Sequence, residues 1–139
     1  SAIALAVIHY LEKNSIMAKV EEKGQYVRKQ LEHLQTLYPF IGEVRGKGLL
    51  FGLEFVQKDK EKTPFSRSVG FTKKMVEITQ KNGLLVYPAQ AGIDGIYGDA
   101  IMIAPPLTIS KSEIDELVDR LRRSCSDIED YLSCSQGFA

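Results

Sequence analysis

The stretch EVRGKGLLFGLE, residues 43–54, decides the fold. Gly46 and Gly48 bracket a lysine, and glycine supplies the positive φ that a tight chain reversal requires. Beyond the turn, Leu49, Phe51, Leu53 and Phe55 alternate with Leu50, Gly52 and Glu54, the period-2 pattern of a strand with one buried face. The stretch therefore predicts a hairpin of strands at 41–45 and 49–56. Gly52 in mid-strand predicts a close approach by another backbone or side chain.

Before the hairpin, AIALAVIHYLEK at residues 2–13 is apolar nearly all round a helix, with Ser1 as its only capping residue. Such a helix is buried on several sides. One domain of this size covers one of its faces, which leaves the other to a further body or partner chain. Asn14 and Ser15 break the chain. Met17, Val20, Gly24, Val27, Leu31, Leu34 and Tyr38 then fall at three- and four-residue steps, a single apolar stripe on a second helix that Pro39 ends.

After the hairpin, QKDKEKTP at 57–64 reads as an exposed loop. A third helix is expected at 68–82, with Phe71, Met75 and Ile78 inward and Gly83 as its stop. A short strand at 84–87 should be cut off by Pro88, and the glycine-rich residues 90–99 form a loop. The run AIMIAPPLTIS at 100–110 is a strand closed by two prolines. Ser110 and Glu113 then make a capping box. Ile114, Leu117, Val118, Leu121, Cys125, Ile128 and Leu132 stripe the last helix, and the tail 133–139 is expected to fray. The whole chain, 1–139, is expected to be one α+β domain, with helices on one face of a small, mostly antiparallel sheet.

Lys+Arg and Asp+Glu are both 18, so no net basic field recruits nucleic acid or anionic lipid. No apolar run is long enough to cross a membrane. Cys125 and Cys134 lie nine positions apart, which places them on opposite faces of one helix; two lone thiols suit a reducing cytoplasm.

The residue types for most chemistries are absent or misplaced. No glycine run has the spacing of a phosphate loop, so Gly46, Gly48, Gly92, Gly95 and Gly98 are turn glycines. His9 and His33 sit on separate helices without carboxylate or thiol at ligand spacing. Asp94 and Asp99 flank the glycine-rich loop but lack the regular ligand series of a calcium site. Arg45, beside two glycines at the hairpin mouth, can hold a carboxylate bidentately; the structural reading pairs it with Glu43 or with a helix of another body.

The order of these elements resembles the C-terminal small domain of class III pyridoxal-phosphate-dependent aminotransferases, a fold-type I family. The resemblance is carried by the apolar, alanine-containing first helix, by V-R-G-K-G-L at 44–49 with G-L-E at 52–54, by G-L-L at 83–85, and by A-P-P-L at 104–107 before the capped helix. The run VYP at 86–88, with Asp94-Gly95 and Gly98-Asp99, is most similar to the amine- or ω-amino-acid:pyruvate branch.

The resemblance implies transfer of an amino group from an amine or ω-amino acid to a keto acid such as pyruvate, with pyridoxal 5'-phosphate as electron sink. It also implies a homodimer. The cofactor's lysine belongs to a large domain ahead of the position of Ser1, and residues 1–38 link to that domain. No catalytic or cofactor-binding residue is therefore expected here, and the chain alone should neither bind the cofactor nor turn over. Where family members carry a substrate-carboxylate arginine, this sequence has Met102 and Tyr87. Those two residues and Arg45 are the expected substrate-proximal positions. The competing reading is a self-standing α+β domain that senses a small metabolite or binds a protein. An apolar first helix with no free face to spare argues against it.

Overall fold

A computed structural model of the chain describes residues 1–90 and 97–136. Helix α1 (Ala2–Lys13) leads into α2 (Ile16–Leu37), followed by strands β1 (Ile41–Lys47) and β2 (Leu50–Phe55). Helix α3 (Phe71–Lys81), strands β3 (Tyr87–Ala89) and β4 (Asp99–Ile103), and the long α4 (Lys111–Gln136) complete it. The sheet has four strands in the order β1-β2-β4-β3, and every neighbouring pair is antiparallel.

Strand parity builds the two faces. Phe51, Leu53 and Phe55 of β2 and Ile101 and Ile103 of β4 are buried, as the alternation predicts. Helices α2, α3 and α4 cover that face with Val27, Leu31, Leu34, Phe71, Met75, Ile114, Leu121 and Ile128. The predicted α+β layering is therefore present, with helices on one side of the sheet. The capping box also forms as expected: Ser110 N–H donates to Glu113 Oε2 (2.7 Å), and Glu113 N–H donates to Ser110 Oγ (3.3 Å).

Several details differ, each for a physical reason. The reversal between β1 and β2 is at Gly48-Leu49, because Lys47 pairs with Leu50; only Gly48 there has positive φ (+59°). Gly46 instead lies inside β1, where a Cβ would sit 2.4 Å from the Leu50 carbonyl oxygen. Helix α2 starts at Ile16, which is buried, and Met17 is turned out of the stripe to solvent. A short 3-10 turn, Arg67–Val69, and left-handed Gly70 precede α3, so that helix starts three residues later than periodicity suggests.

Pro88 does not end a strand. It sits inside β3 opposite Ile101, and an edge strand tolerates a missing N–H. The strand expected at 84–87 is thus displaced to Tyr87–Ala89. Helix α4 continues to Gln136, further than the tail's composition suggests.

The largest difference concerns α1. Ser1 does cap it, accepting from Ala4 N–H at 3.5 Å, but no residue of α1 is buried. Ile3 is 79% exposed and Leu5 58%, while Val7, Ile8 and Tyr10 are exposed as well. Only Leu11 packs against the core. The described residues bury neither face of a helix that was expected to have one face covered.

Candidate substrate-side face

Because the helices stack on one side, the other face of the sheet is open among the described residues, and strand register decides which residues share it. Arg45 of β1 pairs with Gly52 of β2, Gly52 pairs with Met102 of β4, and Met102 pairs with Tyr87 of β3. All three predicted substrate-proximal residues, Arg45, Met102 and Tyr87, therefore lie in one row across the sheet, with Gly52 between them. Tyr87 is 66% exposed and Met102 36%.

A groove of about 600 Å³ runs along this row and is lined by Arg45, Gly52 and Met102 together with Glu43, Glu54 and Gln90. One end is ionic. Arg45 Nε lies 3.2 Å from Glu43 Oε2, and its Nη2 donates to Glu54 Oε2 at 2.6 Å. The predicted pairing with Glu43 is present and a second carboxylate joins it. Arg45 lies within β1 rather than at the hairpin mouth. Its side chain is largely exposed, and pairs of that kind contribute at most about 1 kcal/mol each. Their effect is on local charge rather than on stability.

Gly52 reverses its expectation. No described atom lies within 4 Å of a Cβ built at this position. The close approach belongs to Gly24 of α2, where a Cβ would sit 2.3 Å from the Gly48 carbonyl oxygen. Alternation along β2 was sufficient to put Gly52 and Glu54 on the outer face; what lies opposite a glycine is a tertiary fact that periodicity does not carry.

The remaining sequence candidates are structural or fall elsewhere. Asp99 caps α3: its Oδ1 accepts from Thr72 N–H (2.9 Å) and Thr72 Oγ1 (2.7 Å). A carboxylate at a helix N-terminus is a stabilising cap. Gly92, Asp94 and Gly95 lie outside the described residues. His9 and His33 are exposed on different helices. Among the described residues no three His, Cys, Asp or Glu side chains are grouped to hold a metal ion. No described helix is long and apolar enough to cross a membrane.

Cys125 is buried in the α4 seam and Cys134 is exposed, as their spacing predicts. Burial, with a smaller contribution from Glu129, pushes the Cys125 thiol up to about 12. Thiolate is the reactive form, so near pH 8 an aromatic disulfide reagent is expected to titrate one thiol per folded chain and two after denaturation. Two fast thiols in the native protein would show that the α4 seam opens readily.

Comparison with known proteins gives a consistent picture. The family model for class-III aminotransferases matches residues 1–124. An uncharacterised aminotransferase of Bacillus subtilis, YodT, is 42% identical over 129 residues, which is 93% of this chain and 29% of that protein. A leucine/methionine racemase of Thermococcus litoralis is 38% identical over 94% of the chain and 27% of its own length. The crystal structure of an (S)-enantioselective ω-transaminase from Thermomicrobium roseum superposes with a TM-score of 0.78 at 31% identity, covering 91% of this chain and 26% of that one. The chain thus spans less than a third of the length of the proteins it matches.

Proposed function

The chain belongs to the class-III aminotransferases and corresponds to their C-terminal portion. On that premise we propose that residues 1–139 form the small domain of an enzyme that moves an amino group from an amine or ω-amino acid to a keto acid such as pyruvate. In this reading the open sheet face is the wall of the substrate site. Arg45, Met102 and Tyr87 are its substrate-proximal residues, and residues 1–38, with α1 and α2, link the domain to the larger body. The observation that carries the reading is the cross-sheet row: Arg45, Met102 and Tyr87 fall on one line across the sheet, and the first two line its groove.

The family uses pyridoxal phosphate. A lysine suited to a Schiff base is held in a dry pocket, where loss of hydration lowers its proton affinity. None of this chain's lysines is buried. The buried polar side chains, Thr79 and Ser124, are already engaged with the Val76 and Arg120 carbonyls and with Asn82. The described residues do not fit the cofactor by themselves, so no reaction step is assigned to them. The chain's own part is to shape and charge one side of the substrate cavity.

The uncovered α1 supports a domain that works against another body over a self-standing sensor. Burying one such side chain contributes roughly 1.5–3 kcal/mol, and Ile3, Leu5, Val7 and Ile8 all remain exposed. A homodimeric, cytoplasmic enzyme belongs to the same reading, by resemblance and by the two lone thiols. The test is reduction with borohydride after incubation with pyridoxal phosphate. This chain alone is expected to give no stoichiometric adduct, whereas the complete enzyme should give one per subunit. A single fully modified lysine within residues 1–139 would overturn the proposal.

A further inference from the structure

We infer that Gly52 sets the size and polarity of the amine donor, by leaving open the groove floor on which the donor's non-reacting arm lies; the inference rests on the small-domain reading above. Glycine in mid-strand weakens a strand, because it loses more backbone freedom on folding and has no side chain to pack. At several other described glycines the missing side chain has a structural reason. A Cβ at Gly24, Gly42 or Gly46 would sit 2.3, 2.7 or 2.4 Å from a neighbouring atom, and Gly48 has left-handed backbone. Gly52 has neither reason: its φ is not positive, and a Cβ there meets no described atom within 4 Å. The space it leaves is at the centre of the groove, between the ion-paired end and the apolar end.

Charge decides what chemistry fits that space. Arg45 (+1) is held by Glu43 and Glu54 (−2 together), so the trio carries −1 at neutral pH. The other described groove residues, among them Ala89, Gln90, Ala100 and Met102, are uncharged. A carboxylate on the donor's arm would face this excess of negative charge without a spare cation, at a cost in binding. An uncharged alkyl or aryl arm would lie on Gly52 against Met102 and Ala89. The donor class is therefore a plain amine with an apolar substituent rather than an ω-amino acid, whose arm ends in a carboxylate.

The test compares isopropylamine, which has almost no arm, with 1-phenylethylamine in the complete enzyme, with pyruvate as acceptor. Wild type, Gly52→Ala and Gly52→Leu are each assayed for kcat/KM, and cofactor absorbance reports an assembled site. The ratio of aryl to short amine is expected to fall about tenfold or more in Gly52→Leu, and by less in Gly52→Ala. Should Gly52→Leu lose its cofactor band, the decision passes to Gly52→Ala, whose added methyl meets no described atom within 4 Å. Equal losses for both amines would mean that a protein segment, not substrate, lies on Gly52, and the inference would fail. An unmoved ratio in an active transaminase sinks the inference alone; a wild type that transfers nitrogen from no donor sinks the activity reading as well.

Discussion

Gly24→Val is expected to destabilise the domain by about 3 kcal/mol or more, against the roughly 5–15 kcal/mol that hold a domain of this size folded. Local propensity points the other way. Inside a helix glycine is worse than alanine by about 1 kcal/mol, so a reading of α2 in isolation makes its replacement favourable. The packing reverses that sign. A Cβ on Gly24 would lie 2.3 Å from the Gly48 carbonyl oxygen, 2.8 Å from its carbon and 3.1 Å from its Cα.

All three are backbone atoms of the hairpin turn, so no rotamer relieves the clash. Retreat of the turn is restricted because Gly48 holds a left-handed backbone at the reversal. Moving α2 away would instead pull Arg28 from the Gly46 carbonyl and from the Phe51 ring, over which its guanidinium sits at 5.6 Å. Gly24→Ala is expected to lose about 1–2 kcal/mol net, the clash outweighing the helix gain. Urea titration checks both, since a change in midpoint at constant slope reads stability directly. A stabilised Gly24→Ala would show that the hairpin can yield, and the account of this contact would be wrong.

That comparison also marks what was legible in the sequence. The stripe on α2, the alternation in β2 and the Ser110–Glu113 box are local patterns, and local hydrogen bonding and side-chain periodicity reproduce them in the structure. Glycine roles are different in kind. Gly24 was expected only on the apolar stripe of α2 and Gly52 at a close approach, yet the helical one is the tight contact and the strand one meets no described atom within 4 Å. Which atoms oppose a glycine depends on how helix and sheet are juxtaposed, and no window along the chain contains that.

The cross-sheet row was legible only in part. Parity puts Glu43 and Arg45 on one face of β1 and Gly52 and Glu54 on one face of β2, but pairing of β2 with β4 brings in Met102 and Tyr87 from about fifty and thirty-five residues away in sequence. Resemblance to a family, not side-chain chemistry, singled those two out. Helix α1 shows a further limit. Apolarity all round implies cover on several sides without naming its source, and this chain supplies almost none of it.

Phe71→Ala is the second substitution with a large expected effect, about 3–5 kcal/mol. Phe71 is the hub of an aromatic cluster behind the sheet. Its ring centroid lies 4.6 Å from Phe65, 4.8 Å from Phe55 and 5.9 Å from Phe40, and it is 1% exposed. Truncation to alanine would leave a void bordered by three rings belonging to separate segments, so collapse of one wall would disturb the others.

The consequence extends to the opposite face of the sheet. Phe71 is the first residue of α3, and the next residue, Thr72, is held by Asp99 at the start of β4. Loosening α3 there loosens the strand that carries Met102 and the pairing that holds Tyr87 opposite it. Phe71→Leu, which keeps most of the volume, is expected to lose less than half as much. Hydrogen exchange separates a local from a global effect: in Phe71→Ala the amides of β4 and β3 should exchange faster than those of α2 under conditions where the domain stays folded. Uniform acceleration everywhere would mean that the cluster stabilises the whole core equally and has no particular hold on the groove.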